Sequence, residues 1–246
     1  MIRIGHGGAL GIAAGRGRLC NAAPMPARSS AATPVRVCVE ATGKKAFASA
    51  LDWPGWSRSG KDEHAALDAL ADHEARYRMV ARAASVPFAP GRLTVVERVP
   101  GSATTDFGAP ATAAKSESEP LGKADVRRVT ALVAATWTVL DDVVAVTPPA
   151  LRKGPRGGGR DRDAMVAHVL GAENVYARKL GVRVPEPKVG GTRAITVQRE
   201  AILDALRTGC ASGAVVERGW LPRYAARRIA WHVLDHAWEM QNRTGE

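Results

Sequence analysis

The sequence predicts a small α+β unit with the order β-β-α-β, followed by an all-α four-helix bundle. Alternating apolar and polar residues between positions 34 and 100 predict strands, and apolar residues at helical spacing over 122–246 predict helices. Small and polar residues dominate 101–121, which predicts a linker. Residues 1–33 are rich in Gly, Ala and Arg without apolar periodicity, which predicts a disordered tail.

The α+β unit is predicted from a change of period. Val35, Val37 and Val39 alternate with polar neighbours, as in a strand with one buried face. The turn Thr42-Gly43-Lys44 joins this strand to a second one, and Trp53-Pro54-Gly55-Trp56 ends the hairpin. The expected elements are strands at about 35–40, 45–52 and 92–99 and a helix at about 62–84.

The bundle is predicted from four amphipathic stretches with recognisable ends. Thr147-Pro148-Pro149 stops the first, Thr196 is a good N-cap for the third, and Pro222 suits the first position of the fourth. The expected helices lie at about 123–146, 161–180, 196–207 and 222–242. Four helices of this length over one segment favour a bundle.

Composition narrows the class of protein. The formal net charge is +11 over 246 residues, and its excess lies in the tail and the bundle. This charge fits attraction to a small carboxylate, a phosphate or nucleic acid, and equally fits a solvated basic surface. Three widely separated cysteines indicate a reduced, cytoplasmic protein. No run of 18 apolar residues appears, so we expect no membrane span.

Three histidines form the most informative pattern. His232 and His236 are four residues apart in RIAWHVLDHAWEM, which places both rings on one face of a helix. His168 lies on the inner face of the second predicted helix. One histidine on an apolar face is usually a hydrogen-bonded core residue, whereas three facing one core favour a divalent-metal site with an open fourth position. We expect zinc or nickel, because imidazole suits both ions.

Several charged residues could support such a site. Glu173, Asp235 and Glu239 are candidates to orient a ligating imidazole through its other nitrogen. Glu239, at i+3 from His236, is the better placed of the last two, and Asp235 is better explained as a surface partner of an arginine.

The loop RKGPRGGGR contributes Arg152, Arg156 and Arg160 before a helix N-terminus. This arrangement could bind an anionic cofactor or substrate, or be a solvated loop, and it lacks the spacing of a nucleotide-binding loop.

Residues 34–100 resemble the HicB-type antitoxin fold. The resemblance lies in the hairpin that runs into LDWPGWSRSGKDEHAALDAL, with an acidic residue, Pro-Gly, a later Gly and an Ala/Leu-rich helix. It implies the fold of that family and does not by itself imply a toxin partner.

Residues 122–246 resemble the DinB-like (YfiT-like) superfamily of four-helix metalloenzymes. In that superfamily the second helix supplies one histidine and the last helix supplies two, which here correspond to His168, His232 and His236. The superfamily includes mycothiol-dependent maleylpyruvate isomerase and bacillithiol S-transferases. The resemblance therefore implies a metal-dependent transferase or isomerase that uses a low-molecular-weight thiol.

The leading expectation is thus a cytoplasmic metalloenzyme acting on a small, anionic molecule, without nucleic acid or membrane; a homodimer is compatible with it. One alternative is a non-catalytic regulatory or binding protein in which the HicB-like unit binds a partner. Another is a metal-dependent hydrolase with the same ligands and water in the open position.

Overall fold

A four-stranded sheet and a set of long helices make up the chain in this computed structural model, which describes residues 33–154 and 159–244. The predicted tail, apart from Thr33, lies outside the described residues. The elements are β1 Thr33–Ala41, β2 Ala46–Ala50, β3 Ser57–Gly60, α1 Glu63–Asp72, α2 Glu74–Ala83, β4 Pro90–Pro100, α3 Ala103–Phe107, a 3₁₀ turn Lys115–Ser118, α4 Lys123–Val146, α5 Arg162–Lys179, α6 Thr192–Ser212 and α7 Pro222–Thr244. This confirms the predicted mixed α and β architecture.

The sheet has the strand order β3-β2-β1-β4. The predicted hairpin is confirmed, since β1 pairs with β2 antiparallel, and β4 returns parallel to β1 after the helices. β3 was not predicted, because its sequence SRSG has no apolar alternation; it forms by pairing with β2 at the edge of the sheet. The single helix predicted at 62–84 is two helices, broken at His73.

The four predicted bundle helices are all present. The bounds of α4 agree with the prediction at both ends, and those of α5 and α7 agree within two residues. α6 is longer than predicted at both ends. It begins directly after Gly190-Gly191, with no side-chain cap, so the capping residue Thr196 lies inside the helix.

The sheet and the bundle share a hydrophobic core. Ala135 of α4 and Leu234 and Trp238 of α7 belong to the same buried cluster as the sheet residues and Trp56. Gly55 lies so close to α7 that a Cβ atom there would be 2.7 Å from Leu234 Cδ1. Residues 33–154 and 159–244 accordingly belong to one compact unit.

Residues 101–121 are not a linker in the structure. They hold α3 and the 3₁₀ turn, and buried carboxylates fasten them to the rest of the chain. Glu40 of β1 accepts backbone hydrogen bonds from Ala111 and Thr112, while Glu117 pairs with Arg227 of α7. The sequence of this segment resembles a linker because the residues that hold it in place, Glu40 and Arg227, lie far away along the chain.

The helix α4 is long and apolar enough to cross a membrane, judged by length and composition alone. Half of its most apolar 18-residue window is buried inside the protein. The core helix of a soluble protein has the same properties, and α4 packs between α6, α7 and α2.

Candidate metal centre

Two antiparallel neighbours in the bundle, α5 and α7, bring the three histidines together. His168 lies in the second turn of α5, and His232 and His236 lie one turn apart on α7. The inner face of α5 also carries Met165, Val169 and Ala177, which are buried in the bundle core, so packing fixes the direction of His168.

The imidazole nitrogens converge. One potential ligand atom from each of the three rings lies within 4.8 Å of the others. Nε2 of His168 is 3.3 Å from Nε2 of His232. The ring centroid of His236 lies 4.9 Å from that of His168 and 4.6 Å from that of His232, and the ring planes are nearly perpendicular in both pairs. This is the cluster that the sequence predicts.

Glu239 orients one of the rings. Its Oε2 lies 3.1 Å from Nδ1 of His236, and its Oε1 accepts a hydrogen bond from Arg243. A carboxylate at this position holds the proton on Nδ1, which leaves Nε2 with a free lone pair. The contact between Glu239 and His236 predicted from the i+3 spacing is therefore present. Asp235 instead pairs with Arg58 at 3.2 Å, as expected for a surface carboxylate.

The protonation of the rings suits metal binding. Burial, together with the nearby His236 and Arg160, lowers the pKa of His168 to about 4. Burial also lowers the pKa of His232 well below its ordinary value, again with help from His236. The hydrogen bond from His236 holds the pKa of Glu239 below its usual range. At neutral pH, His168 and His232 are thus neutral, and only neutral imidazole coordinates a metal.

The donor set fits a zinc-like ion. Two ligands about 2.0–2.1 Å from one tetrahedral ion are roughly 3.3–3.4 Å apart, which agrees with the 3.3 Å between His168 and His232. Nδ1 of His232 is buried and has no hydrogen-bond partner among the residues that the structure describes. The hydrogen-bonding contact of this ring is therefore the one between its Nε2 and Nε2 of His168.

Glu173 is not part of this centre, contrary to the prediction. It is fully buried on another face of α5, where its Oε1 accepts a hydrogen bond from Trp137 at 2.7 Å and its Oε2 is 3.9 Å from Arg199. Five residues separate it from His168, which corresponds to about 140° around a helix. Burial raises the pKa of Glu173 to about 7, while Arg199 opposes that rise.

The predicted anion loop is divided between two roles. Arg152 donates hydrogen bonds to carbonyl groups of Asn242 and Arg243, so its guanidinium stabilises the C-terminal end of α7 and is not a free anion site. Arg156 lies outside the described residues. Arg160 lies close enough to His168 and His232 for its charge to lower their pKa values.

One residue beside the centre was not predicted. Arg228, one helical turn before His232, lies over the rings of Tyr176 and Trp231 at 5.5 and 4.8 Å from their centroids. The edge of Tyr176 in turn meets His232, with centroids 5.6 Å apart. The i−4 spacing from His232 was the available signal, since it places Arg228 on the same face of α7.

A cleft of about 570 Å³ lies elsewhere, between the C-terminal ends of α5 and α6. Trp220 forms part of its wall and packs at 5.1 Å on Tyr176, but none of the three histidines lines it.

Comparisons with protein-family models, with curated proteins and with solved structures gave no match for this chain.

Proposed function

We propose that this chain is a divalent-metal enzyme in which His168, His232 and His236 hold the ion. The convergence of three imidazole nitrogens within 4.8 Å, from helices far apart in sequence, supports the proposal. Zinc and nickel are the proposed ions, since neutral imidazole suits both. Two of the rings are neutral at physiological pH, and Glu239 orients the third.

The proposed reaction is transfer or isomerisation that uses a small thiol of the mycothiol or bacillithiol type. It is supported by the resemblance of residues 122–246 to the DinB-like superfamily. A divalent ion in such a site supplies one chemical property, which is to lower the pKa of a bound thiol. Three histidine ligands would leave a divalent ion able to take such a ligand. The aromatic rings of Tyr176 and Trp231 lie against His232.

We place this activity in the cytoplasm. The cysteines that the structure describes, Cys38 and Cys210, are free and buried, as expected in a reducing compartment. Burial raises the pKa of the Cys210 thiol to about 11 and that of Cys38 to about 12, so both stay protonated and are unsuited to act as ligands.

Metal content tests the first half of the proposal. Elemental analysis of purified protein should find a divalent ion in the wild type and in His64→Ala, and none in His232→Ala. His64 is a suitable control because its side chain is 88% exposed and lies on α1, away from the cluster. Equal metal content in wild type and His232→Ala would refute the site.

A thiol assay tests the second half. With 1-chloro-2,4-dinitrobenzene as electrophile, the thiol sulfur displaces chloride and the dinitrophenyl thioether is followed by absorbance. We expect turnover with mycothiol or bacillithiol that disappears in His168→Ala, His232→Ala and His236→Ala together with the metal. A metal-loaded protein that does not accelerate thioether formation, yet hydrolyses ester substrates in thiol-free buffer, would be a hydrolase.

A further inference from the structure

Arg228 is a buried cation that no described residue neutralises with an ion pair. Only 8% of its surface is exposed, and Nη1 is buried without a hydrogen-bond partner. Among the described residues, no carboxylate lies within ion-pair distance of it. Burial of a charge without a partner costs free energy of folding, so buried charges are normally paired with a counter-charge from the protein or from a ligand.

The other buried arginines make the contrast clear. Arg227 shares two hydrogen bonds of 2.8 Å with Glu117. Arg243 donates to Glu239 and to two backbone carbonyls, although its Nη2 has no partner among the described residues. Arg228 has no hydrogen bond or ion pair among the described residues, and its guanidinium lies over the rings of Tyr176 and Trp231. Faces of aromatic rings attract a guanidinium but leave its N–H edge free to bind an anion.

The charges around the three histidines point the same way. Arg160 and Arg228 both lie near His232 as cations. The carboxylate in contact with the cluster is Glu239, and it is already shared between His236 and Arg243. Any divalent ion on the histidines would increase this positive excess, which favours an anionic ligand.

We propose that Arg228 binds the carboxylate of a small organic acid whose other end reaches the three-histidine centre. The residue lies four positions before His232 on α7, or about 6 Å along the helix axis. The planar fork of a guanidinium matches a carboxylate in two parallel hydrogen bonds. A molecule with a carboxylate and a thiol or carbonyl a few bonds apart can span this distance. This step deepens the proposed function by naming the class of substrate.

The first experiment uses metal-free protein, so that it does not depend on the metal. Propionate and its neutral isostere propionamide are titrated against wild type, Arg228→Met and Arg78→Met, and binding is followed by NMR chemical shifts of the Tyr and Trp rings. Methionine keeps an unbranched chain between the two rings. Arg78 is the matched control, because it also covers an aromatic ring, that of Phe88, but pairs with Glu74 on the surface of α2.

We expect wild type and Arg78→Met to bind propionate at least about tenfold more tightly than propionamide. Arg228→Met should lose this preference, and Arg228→Lys, which keeps the charge but not the fork, should retain part of it. The proposal is overturned if wild type does not prefer the acid, or if Arg228→Met keeps the full preference. Arg228→Lys decides the matter if Arg228→Met does not fold: a preference equal to that of wild type would exclude recognition by the fork.

The second experiment uses zinc-loaded protein with 3-mercaptopropionate and its methyl ester, which differ only in the charge of the carboxyl end. Wild type should bind the acid at least about tenfold more tightly, and Arg228→Met should bind both alike with unchanged zinc content. Propionate binding without any metal content would remove the proposed enzyme while leaving the anion site. Normal metal content without a preference for the acid would remove the anion site while leaving the proposed enzyme.

Discussion

Two adjacent arginines on α7, Arg227 and Arg228, are both buried but have opposite surroundings. Arg227 faces the sheet and the segment 101–121, where Glu117, Ser49 and a backbone carbonyl accept its hydrogen bonds. Arg228 faces the histidine cluster, where its guanidinium lies over the rings of Tyr176 and Trp231 and has no ion pair with a described residue. The same residue type, separated by about 100° around one helix, is satisfied on one face and unsatisfied on the other.

The difference separates polar groups that hold the fold from groups that bind something else. A buried ion pair with good hydrogen bonds specifies how two segments meet, and its disruption is expensive. On the other face, His232 also has a buried nitrogen without a partner. Most buried polar groups in folded proteins are hydrogen-bonded, and two unpaired ones, one helical turn apart beside the histidine cluster, support the proposed ligand site.

The largest expected effect is on the stability of the fold, at the ion pair between Glu117 and Arg227. Glu117→Ala leaves the Arg227 guanidinium buried without its counter-charge, and this should lower the free energy of unfolding by about 3–5 kcal/mol. Urea denaturation measures it, with Glu119→Ala as a control, since Glu119 is exposed nearby. The metal content of the folded protein should not change.

Unfolding of Glu117→Ala at the same urea concentration as the wild type would contradict the difference between Arg227 and Arg228. Residues 101–121 would then contribute little to the stability of the fold, as expected for the linker that their composition predicts.

Sequence patterns predicted what depends on local periodicity. The apolar stripe and the Pro-Pro stop define α4, and the H-x-x-x-H spacing placed His232 and His236 on one face of α7. The position of His168 on the inner face of its helix was sufficient to bring it to the pair.

What depended on partners distant in sequence was missed. Glu173 follows His168 closely along the chain, yet Trp137 and Arg199 surround it. In RRIA the two arginines look alike, and only tertiary packing distinguishes Arg227 from Arg228. The backbone of 101–121 finds its acceptor in Glu40, which no local pattern shows.

An intermediate effect, on metal affinity, is expected at Glu239, which contacts both His236 of the cluster and Arg243. Glu239→Gln weakens the acceptor that fixes the proton on Nδ1 of His236, so metal affinity should fall by about 10–100-fold. Isothermal titration with zinc measures the change. The free energy of unfolding of the metal-free protein should change by less than about 1 kcal/mol, because the ion pair between Glu239 and Arg243 is partly exposed.

Glu74→Gln is the matched control, since it removes a similar i,i+4 pair with an arginine on α2, far from the histidines. If Glu239→Gln leaves zinc affinity unchanged while destabilising the metal-free protein, Glu239 serves the fold alone and belongs with Glu117.

The smallest effect concerns Glu173, a third kind of buried charge, which has one hydrogen bond from Trp137 and one oxygen without a partner. Its pKa rises from 4.5 to about 7 on folding, because burial disfavours the ionised form. The folded state therefore holds the proton more tightly than the unfolded chain. This contribution to stability is complete below about pH 4.5 and is lost as the pH rises through 7. Glutamine cannot ionise, so Glu173→Gln should lack this loss.

The measurement is the free energy of unfolding of both proteins across pH 5 to 8. Relative to Glu173→Gln, the wild type should lose on the order of 1–2 kcal/mol over that range. His168 and His232 change stability in the opposite sense at lower pH, because their pKa values fall on folding, but they are present in both proteins and cancel in the difference. Glu200→Gln, at an exposed carboxyl on α6, controls for the loss of one charge. Parallel pH profiles for wild type and Glu173→Gln would show that Arg199 keeps Glu173 ionised in the fold, as an ion pair comparable to that of Glu117 with Arg227.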